Sequence, residues 1–218
     1  MEQQLSSNRN KYRLLIAGGA LICFAFIAYQ IATNEVLEFD TVIREWVYTL
    51  RNSLTKGILI PCTYLGNWQS LVSLALILIL IPKTRRNIGI PMAITAISST
   101  IIYGIVKALF QRPRPDIALH LIDQGGYSFP SGHSMNGMVF FGILIYLIRK
   151  SCNNKMVANT LTVLLSLLVI TIGFSRVFVG VHFPTDILGG WSLGIALLMV
   201  AMIAIDKLED KHVLQFNK

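Results

Sequence analysis

The chain has 218 residues, 54% of them hydrophobic and 14% charged, with a mean hydropathy of +0.61. A soluble domain of this length needs far more polar surface, so the composition excludes one and indicates a polytopic membrane protein. The formal net charge of +8 does not point to nucleic acid, because the charges sit in short runs between apolar segments, as topology signals do.

In chain order, Arg9, Lys11 and Arg13 come first, followed by an apolar run from Leu14 to Ala32. That run exceeds a signal-peptide core and no cleavage pattern follows it, so it reads as an uncleaved first span. Six apolar segments can be drawn, near residues 14–33, 65–82, 88–109, 131–149, 157–174 and 186–205. Each predicts a helix of roughly 15–22 residues, near the length a bilayer requires. The second is the least defined. Its clean part, "SLVSLALILILI", is short, and "GILIPCTYLG" before it is also apolar.

Between the first two segments, Val36, Phe39, Ile43, Trp46, Val47 and Leu50 recur at helical spacing. They predict an amphipathic helix that either lies on the outer surface or caps the bundle. The expected fold is therefore all-α: one membrane-embedded domain over residues 1–218, six transmembrane helices in a bundle, and an amphipathic helix on the outer face. Cys23, Cys62 and Cys152 share no short spacing and predict neither a disulfide framework nor a zinc site.

The basic residues divide. Arg9, Lys11 and Arg13, then Lys83, Arg85 and Arg86, then Arg149, Lys150 and Lys155, then Lys207, Lys211 and Lys218 fall on one side of the six segments. By the positive-inside rule that side is cytoplasmic, with both termini on it. The other side holds Arg44, Arg51, Lys56, Lys107, Arg112, Arg114 and Arg176, together with Glu35, Glu38, Asp40, Glu45, Asp116, Asp123 and Asp186. The expected location is a bacterial-type plasma membrane.

Three stretches on that outer side hold most of the informative polar residues. In "KALFQRPRPD", Lys107 lies in the last turns of the third segment, and Arg112 and Arg114 each precede a proline that ends the helix. Alone, the stretch fits a charged helix end whose lysine snorkels to the interface. In "FPSGHS", Pro130, Ser131 and Gly132 suit a helix start, whose free amides carry partial positive charge, and His133 lies in the first turn. Alone, this is a capped helix with an incidental histidine. In "SRVFVGVHFPTD", Arg176 precedes His182 by six residues and Asp186 follows it by four. Asp186 fits a helix cap, and also a partner that fixes a histidine tautomer and supports an imidazolium.

Together the three stretches place cations, two histidines, a carboxylate and a helix N-terminus at one end of a bundle. That set suits an oxyanion, such as a phosphate monoester with a charge of about −1.5 to −2. Lys107, Arg114 and Arg176 can neutralise it, and arginine forks match its geometry. No Asp/Glu/His cluster of the kind that holds magnesium or zinc accompanies them, so no metal or other cofactor is expected.

These residues resemble the type 2 phosphatidic acid phosphatase superfamily, the lipid phosphate phosphatases, which shares its site with vanadium haloperoxidases. The family's motifs are K-x₆-R-P, P-S-G-H and S-R-x₅-H-x₃-D. Here they read Lys107 to Arg114-Pro115, Pro130-Ser131-Gly132-His133, and Ser175-Arg176 with His182 and Asp186. All three are complete and in order within residues 107–186. Arg112-Pro113 is a second Arg-Pro pair, but only Arg114 has the family's distance from Lys107. "FPSGHSMN" and "SRVFVGVHFPTD" are similar to the small bacterial members that act as phosphatidylglycerophosphatases.

The resemblance implies that His182 attacks phosphorus, Asp186 orients it, and His133 protonates the leaving alcohol and then serves as base for water. It implies that Lys107, Arg114, Arg176 and the Ser131–Gly132 backbone hold the phosphoryl oxygens. His120 and His212 match no motif. The expected partners are a membrane lipid phosphate and the bilayer, not nucleic acid, and the oligomeric state is left open. The expected substrate is phosphatidylglycerophosphate or phosphatidic acid. The rival is undecaprenyl diphosphate in cell-wall carrier recycling. A non-catalytic lipid-phosphate binder or transporter would need the cations but not both histidines with the carboxylate. A haloperoxidase would be soluble, which the six segments contradict.

Overall fold

The protein is described from a computed structural model over residues 2–33 and 37–216, side chains from residue 7 onward. Glu35, Val36 and Lys218, named above, lie outside the described residues. Among the described residues all regular structure is helical. The order is α1 (Glu2–Thr33), α2 (Glu38–Thr49), α3 (Ser53–Tyr64), α4 (Trp68–Leu80) and the short α5 (Pro82–Thr84). A π-helical turn (Arg85–Gly89) leads into α6 (Ile90–Phe110). Then come α7 (Gly132–Ser151), α8 (Lys155–Phe178) and α9 (Pro184–Asp210).

Among the described residues, four segments are long and apolar enough to cross a membrane: Ser7–Thr33, Pro82–Phe110, Lys155–Phe178 and Pro184–Asp210. A fifth is obtained if α3 and α4, bent by 54° at their junction, count as one. Exposed apolar stripes support a bilayer around them. Ile94, Ile97, Ile101 and Ile105 repeat along the outer face of α6, each more than half exposed, at the spacing of one helix face. Six segments were expected, and α7 is the one outside this set. It begins with Gly132, His133 and Ser134, ends with Arg149 and Lys150, and packs against α6, α8 and α9. A helix lodged among others meets little lipid and tolerates polar residues.

The second expected segment, 65–82, holds a shorter helix and is preceded by another. Its helix is α4, preceded by the separate α3, and residues 65–67 form the break. Asn52 and Thr55 cap α3 reciprocally, each side chain accepting from the other's backbone N–H at 3.0 Å, so the chain has a defined helix start well before the expected one.

The two ends of the bundle differ. At one end Asp206 of α9 accepts from Arg9 at 2.9 Å, Arg13 at 2.7 Å and Lys150 at 2.6 Å. This joins α1, α7 and α9 through residues that the charge pattern placed together. At the other end lie the C-termini of α6 and α8 and the N-termini of α7 and α9. There α9 comes very close to α7: a Cβ on Gly190 would stand 2.8 Å from the Ser131 carbonyl oxygen, so only glycine permits this approach.

The amphipathic helix is present as α2, and the apolar pattern is divided: Ile43, Val47 and Leu50 face the core, while Phe39 and Trp46 do not. Val47 is buried and Ile43 packs in the same cluster, whereas Phe39, Val42 and Trp46 are exposed. The deepest residue of α2 is Asp40, with no exposed surface.

Candidate active site

Lys107 sits in the last turn of α6 and its Nζ donates to the Tyr103 hydroxyl at 2.6 Å. The helix ends at Gln111, whose φ of 46° turns the chain, and the prolines at 113 and 115 keep the following segment extended. That segment carries Arg114 into the bundle. Its guanidinium donates to the carbonyls of Gly125, Gly126 and Val181 at 3.0, 2.9 and 2.7 Å, and Nη1 lies 3.2 Å from His182 Nε2.

At the start of α7, Ser131 is the cap. Its Oγ accepts from the Ser134 hydroxyl at 3.1 Å, and its own backbone N–H donates to the Asp186 carbonyl at 3.0 Å. The Ser131 amide, expected to hold a phosphoryl oxygen, is therefore occupied in bonding α7 to α9. His133 in the first turn has Nε2 at 2.5 Å from Asn67 Oδ1.

Arg176 lies near the end of α8 and is wholly buried. It donates to Thr63 Oγ1 at 2.8 Å and Gln124 Oε1 at 2.6 Å, and its Nε has no partner among the described residues. The chain then turns at Gly180, where φ is +86° and a Cβ would stand 2.3 Å from the Leu119 carbonyl oxygen. Only glycine fits that conformation and that space. The turn delivers His182 just before Pro184 opens α9.

His182 and Asp186 are both essentially buried. His182 Nδ1 lies 3.4 Å from Asp186 Oδ2 and 3.3 Å from Ser128 Oγ. Asp186 Oδ2 also accepts from Ser128 Oγ at 2.5 Å and from the Phe183 N–H at 2.8 Å. Asp186 thus caps α9 and orients the imidazole at once. With Nδ1 facing an acceptor, the proton of the neutral ring belongs on Nδ1 and the lone pair on Nε2, which points toward Arg114. Burial, then the charges of Arg114, Arg176 and Lys107, hold the His182 pKa well below the ordinary histidine value, because each disfavours the imidazolium.

The arginines divide sharply. Among the described residues, Lys107, Arg114 and Arg176 have no carboxylate partner, and they act electrostatically on both His182 and His133. Arg112, two residues from Arg114, is bonded at 2.7 Å to both Asp40 and Asp186. Arg176 is buried and Lys107 and Arg114 are half-buried; cations drawn out of water without a counter-ion are costly, and three around one histidine suit an anion. Among the described residues no three His, Cys, Asp or Glu side chains gather to hold a metal ion.

All eight motif residues named from the sequence lie at this end of the bundle. His120 is outside the constellation, bonded to the Pro115 carbonyl at 3.0 Å. Sequence reasoning missed Asn67, Thr63, Gln124 and Ser128, which hold the motif side chains, and also Asp40 and Arg112. Asp40 and Arg112 stood in the sequence only as an acid of the amphipathic helix and a second Arg-Pro pair, and neither pattern marks a buried ion pair.

Comparison with known proteins shows what the chain is similar to. The model of the PAP2 superfamily matches residues 88–210. Phosphatidylglycerophosphatase B of Bacillus subtilis (strain 168) is 31% identical over 186 residues, covering 81% of this chain and 88% of its own. The undecaprenyl-diphosphatase BcrC of the same organism is 31% identical over 157 residues, covering 68% of this chain and 72% of its own. The crystal structure of a transmembrane PAP2-type phosphatidylglycerolphosphate phosphatase from Bacillus subtilis superposes with a TM-score of 0.78 at 28% identity, covering 92% of this chain and 98% of that one.

Proposed function

The chain belongs to the PAP2 superfamily, a phosphatase family that needs no metal, and on that premise we propose which lipid it hydrolyses, where and how. The substrate is phosphatidylglycerophosphate or phosphatidic acid, cleaved at the extracytoplasmic face of a bacterial-type plasma membrane through a phosphohistidine. The observation that carries this reading is the set of cations around His182, the half-buried Lys107 and Arg114 and the buried Arg176, that lack carboxylate partners among the described residues.

The phosphoryl group is held by these cations and by the first-turn amides of α7 at Gly132 and His133. His182 Nε2 attacks phosphorus as the bond to the lipid oxygen breaks. His133 gives its proton to the departing alkoxide. Asp186 accepts from Nδ1 and stabilises the positive charge that His182 acquires. Water then attacks the phosphohistidine, His133 takes its proton, and inorganic phosphate leaves with His182 neutral again.

In this reading α7 is a sixth span and both termini are cytoplasmic. The basic residues around Asp206 mark the inner end, and α2 lies at the outer interface with Phe39, Val42 and Trp46 toward lipid. The similarity to an undecaprenyl-diphosphatase favours one second reading, in which the same site acts on a polyprenyl diphosphate.

The test is phosphate release by purified protein in mixed micelles with excess EDTA. Phosphatidylglycerophosphate, phosphatidic acid and undecaprenyl diphosphate are offered in parallel, beside His182→Ala. We expect EDTA-resistant release from a glycerophospholipid, lost in the variant. Faster release from undecaprenyl diphosphate would replace the first reading with the second. Release that persists in His182→Ala would remove the phosphohistidine.

A further inference from the structure

Arg112 stands outside the three motifs, yet it is one of the most buried charged residues, 3% exposed. Its Nη1 donates to Asp186 Oδ1 at 2.7 Å and to Thr185 Oγ1 at 2.9 Å, and its Nη2 donates to Asp40 Oδ2 at 2.7 Å. Asp40 has no exposed surface. Its Oδ1 accepts from the Thr185 N–H at 2.8 Å and its Oδ2 from the Thr185 hydroxyl at 2.7 Å. One guanidinium is thus divided between two carboxylates, one in α2 and one in α9.

Two carboxylates around one cation leave that group of three one negative charge in excess, beside His182 and, among the described residues, the unpaired Lys107 and Arg114. A buried charge of that kind is expensive unless something else uses it. The user is at hand: His182 becomes positive when it takes up a phosphoryl group, and its Nδ1 faces Asp186. Were Arg112 paired with Asp186 alone, it would cancel most of the charge that Asp186 offers the imidazole. Asp40 draws half of the fork away.

We propose that Asp40 and Arg112 are positioning residues for the phosphatase reaction, through which α2 holds the Asp186 carboxylate and sets the charge it presents to His182. The proposal rests on His182 being the nucleophile. It makes α2 part of the catalytic apparatus rather than only an interfacial helix.

The remaining charged or titratable groups around His182 come from every packed element: Lys107 and Tyr103 from α6, His133 from α7, Arg176 from α8, and Arg114 from the segment after α6. Arg44 of α2 lies over the Phe183 ring at 5.6 Å. None of these is altered in the variants below, so a changed pH profile reports on the Asp40–Arg112–Asp186 chain.

The experiment measures kcat, KM and the acid limb of the kcat/KM profile for wild type, Asp40→Asn, Arg112→Gln and His182→Ala, with inorganic phosphate as competitive inhibitor. Removing the Asp40 charge disfavours the imidazolium, so the limb moves to lower pH, and kcat falls about tenfold or more. Removing the Arg112 charge favours it, so the limb moves to higher pH. KM and phosphate inhibition stay within about twofold of wild type, since neither residue touches the phosphoryl group.

Opposite displacements of the limb support the proposal. Wild-type kcat in both variants, or losses with an unmoved limb, overturn it while an inactive His182→Ala leaves the phosphohistidine reading standing. An active His182→Ala overturns both. Where Asp40→Asn or Arg112→Gln does not yield folded protein, Arg112→Lys decides: it keeps the charge but lacks the fork that reaches two carboxylates. A clear loss of kcat with unchanged phosphate inhibition is then expected, and wild-type kcat overturns the proposal.

Discussion

His133 Nε2 lies 2.5 Å from Asn67 Oδ1, across the break between α3 and α4. The contact locks one ring nitrogen of the proposed acid and leaves the other for the leaving group. A hydrogen bond to a group that becomes charged is worth about 1.5–3 kcal/mol. Asn67→Ala is therefore expected to lower kcat about ten- to hundredfold, with little change in KM. Steady-state kinetics on the lipid that the micelle assay selects checks this. An unchanged kcat would show that Asn67 does not orient His133.

A second prediction concerns the charge state of His182. Its folded pKa is depressed by burial and by Arg114, Arg176 and Lys107, so the neutral, attacking form persists at pH values where a free histidine, with a pKa of about 6.5, is half protonated. The unfolded chain takes up that proton first. This contribution to stability is thus complete above the free value and is lost as pH falls below it. NMR titration of the His182 ring should show it neutral, with the proton on Nδ1, at pH 6. An imidazolium signal there would contradict the assignment.

Gly190 supplies a third. A Cβ there meets the Ser131 carbonyl at 2.8 Å and Ser134 Cβ at 3.1 Å, and backbone cannot step aside cheaply. Gly190→Ala is expected to cost about 1–3 kcal/mol of stability and to reduce activity, because it separates the α7 start bearing His133 from the α9 start bearing Asp186. Gly18→Ala, with nothing within 4 Å of its Cβ, is the control. Equal thermal midpoints and rates for the two variants would show that α7 and α9 can part without harm.

The far end of the bundle should behave independently. Asp206 and Asp186 lie twenty residues apart on α9, about 30 Å along a helix axis. Asp206→Asn leaves the largely buried Arg13 without its carboxylate, while Lys150 keeps Glu209. We expect a loss of about 3 kcal/mol in stability, seen as a lower midpoint in thermal unfolding, with kcat retained. A collapse of kcat in folded Asp206→Asn protein would mean that the two ends are coupled.

Some of this was readable from the chain itself. Lys107, Arg114, His133, Arg176, His182 and Asp186 stand at fixed spacings next to helix ends, and hydropathy locates those ends. The same patterning separates the basic residues around Asp206 from those around His182. Helix length, proline position and charge distribution are local properties of a sequence, and local physics suffices to read them.

Tertiary structure alone decided the rest. Asp40 looked like a solvent-facing acid of an amphipathic helix, and it is the most buried residue of α2 because Arg112 and Thr185 lie seventy-two and one hundred and forty-five positions away in sequence but within 2.8 Å in space. The break that carries Asn67 to His133 falls at Gly66–Asn67 between two apolar runs, and hydropathy does not record how the chain bends there. Arg112 and Arg114 are each an arginine before a proline, told apart in sequence only by their distance from Lys107, yet one is bonded to two carboxylates and the other, among the described residues, to none. Which partner a charge finds depends on how distant helices pack, and no spacing within a single segment contains that information.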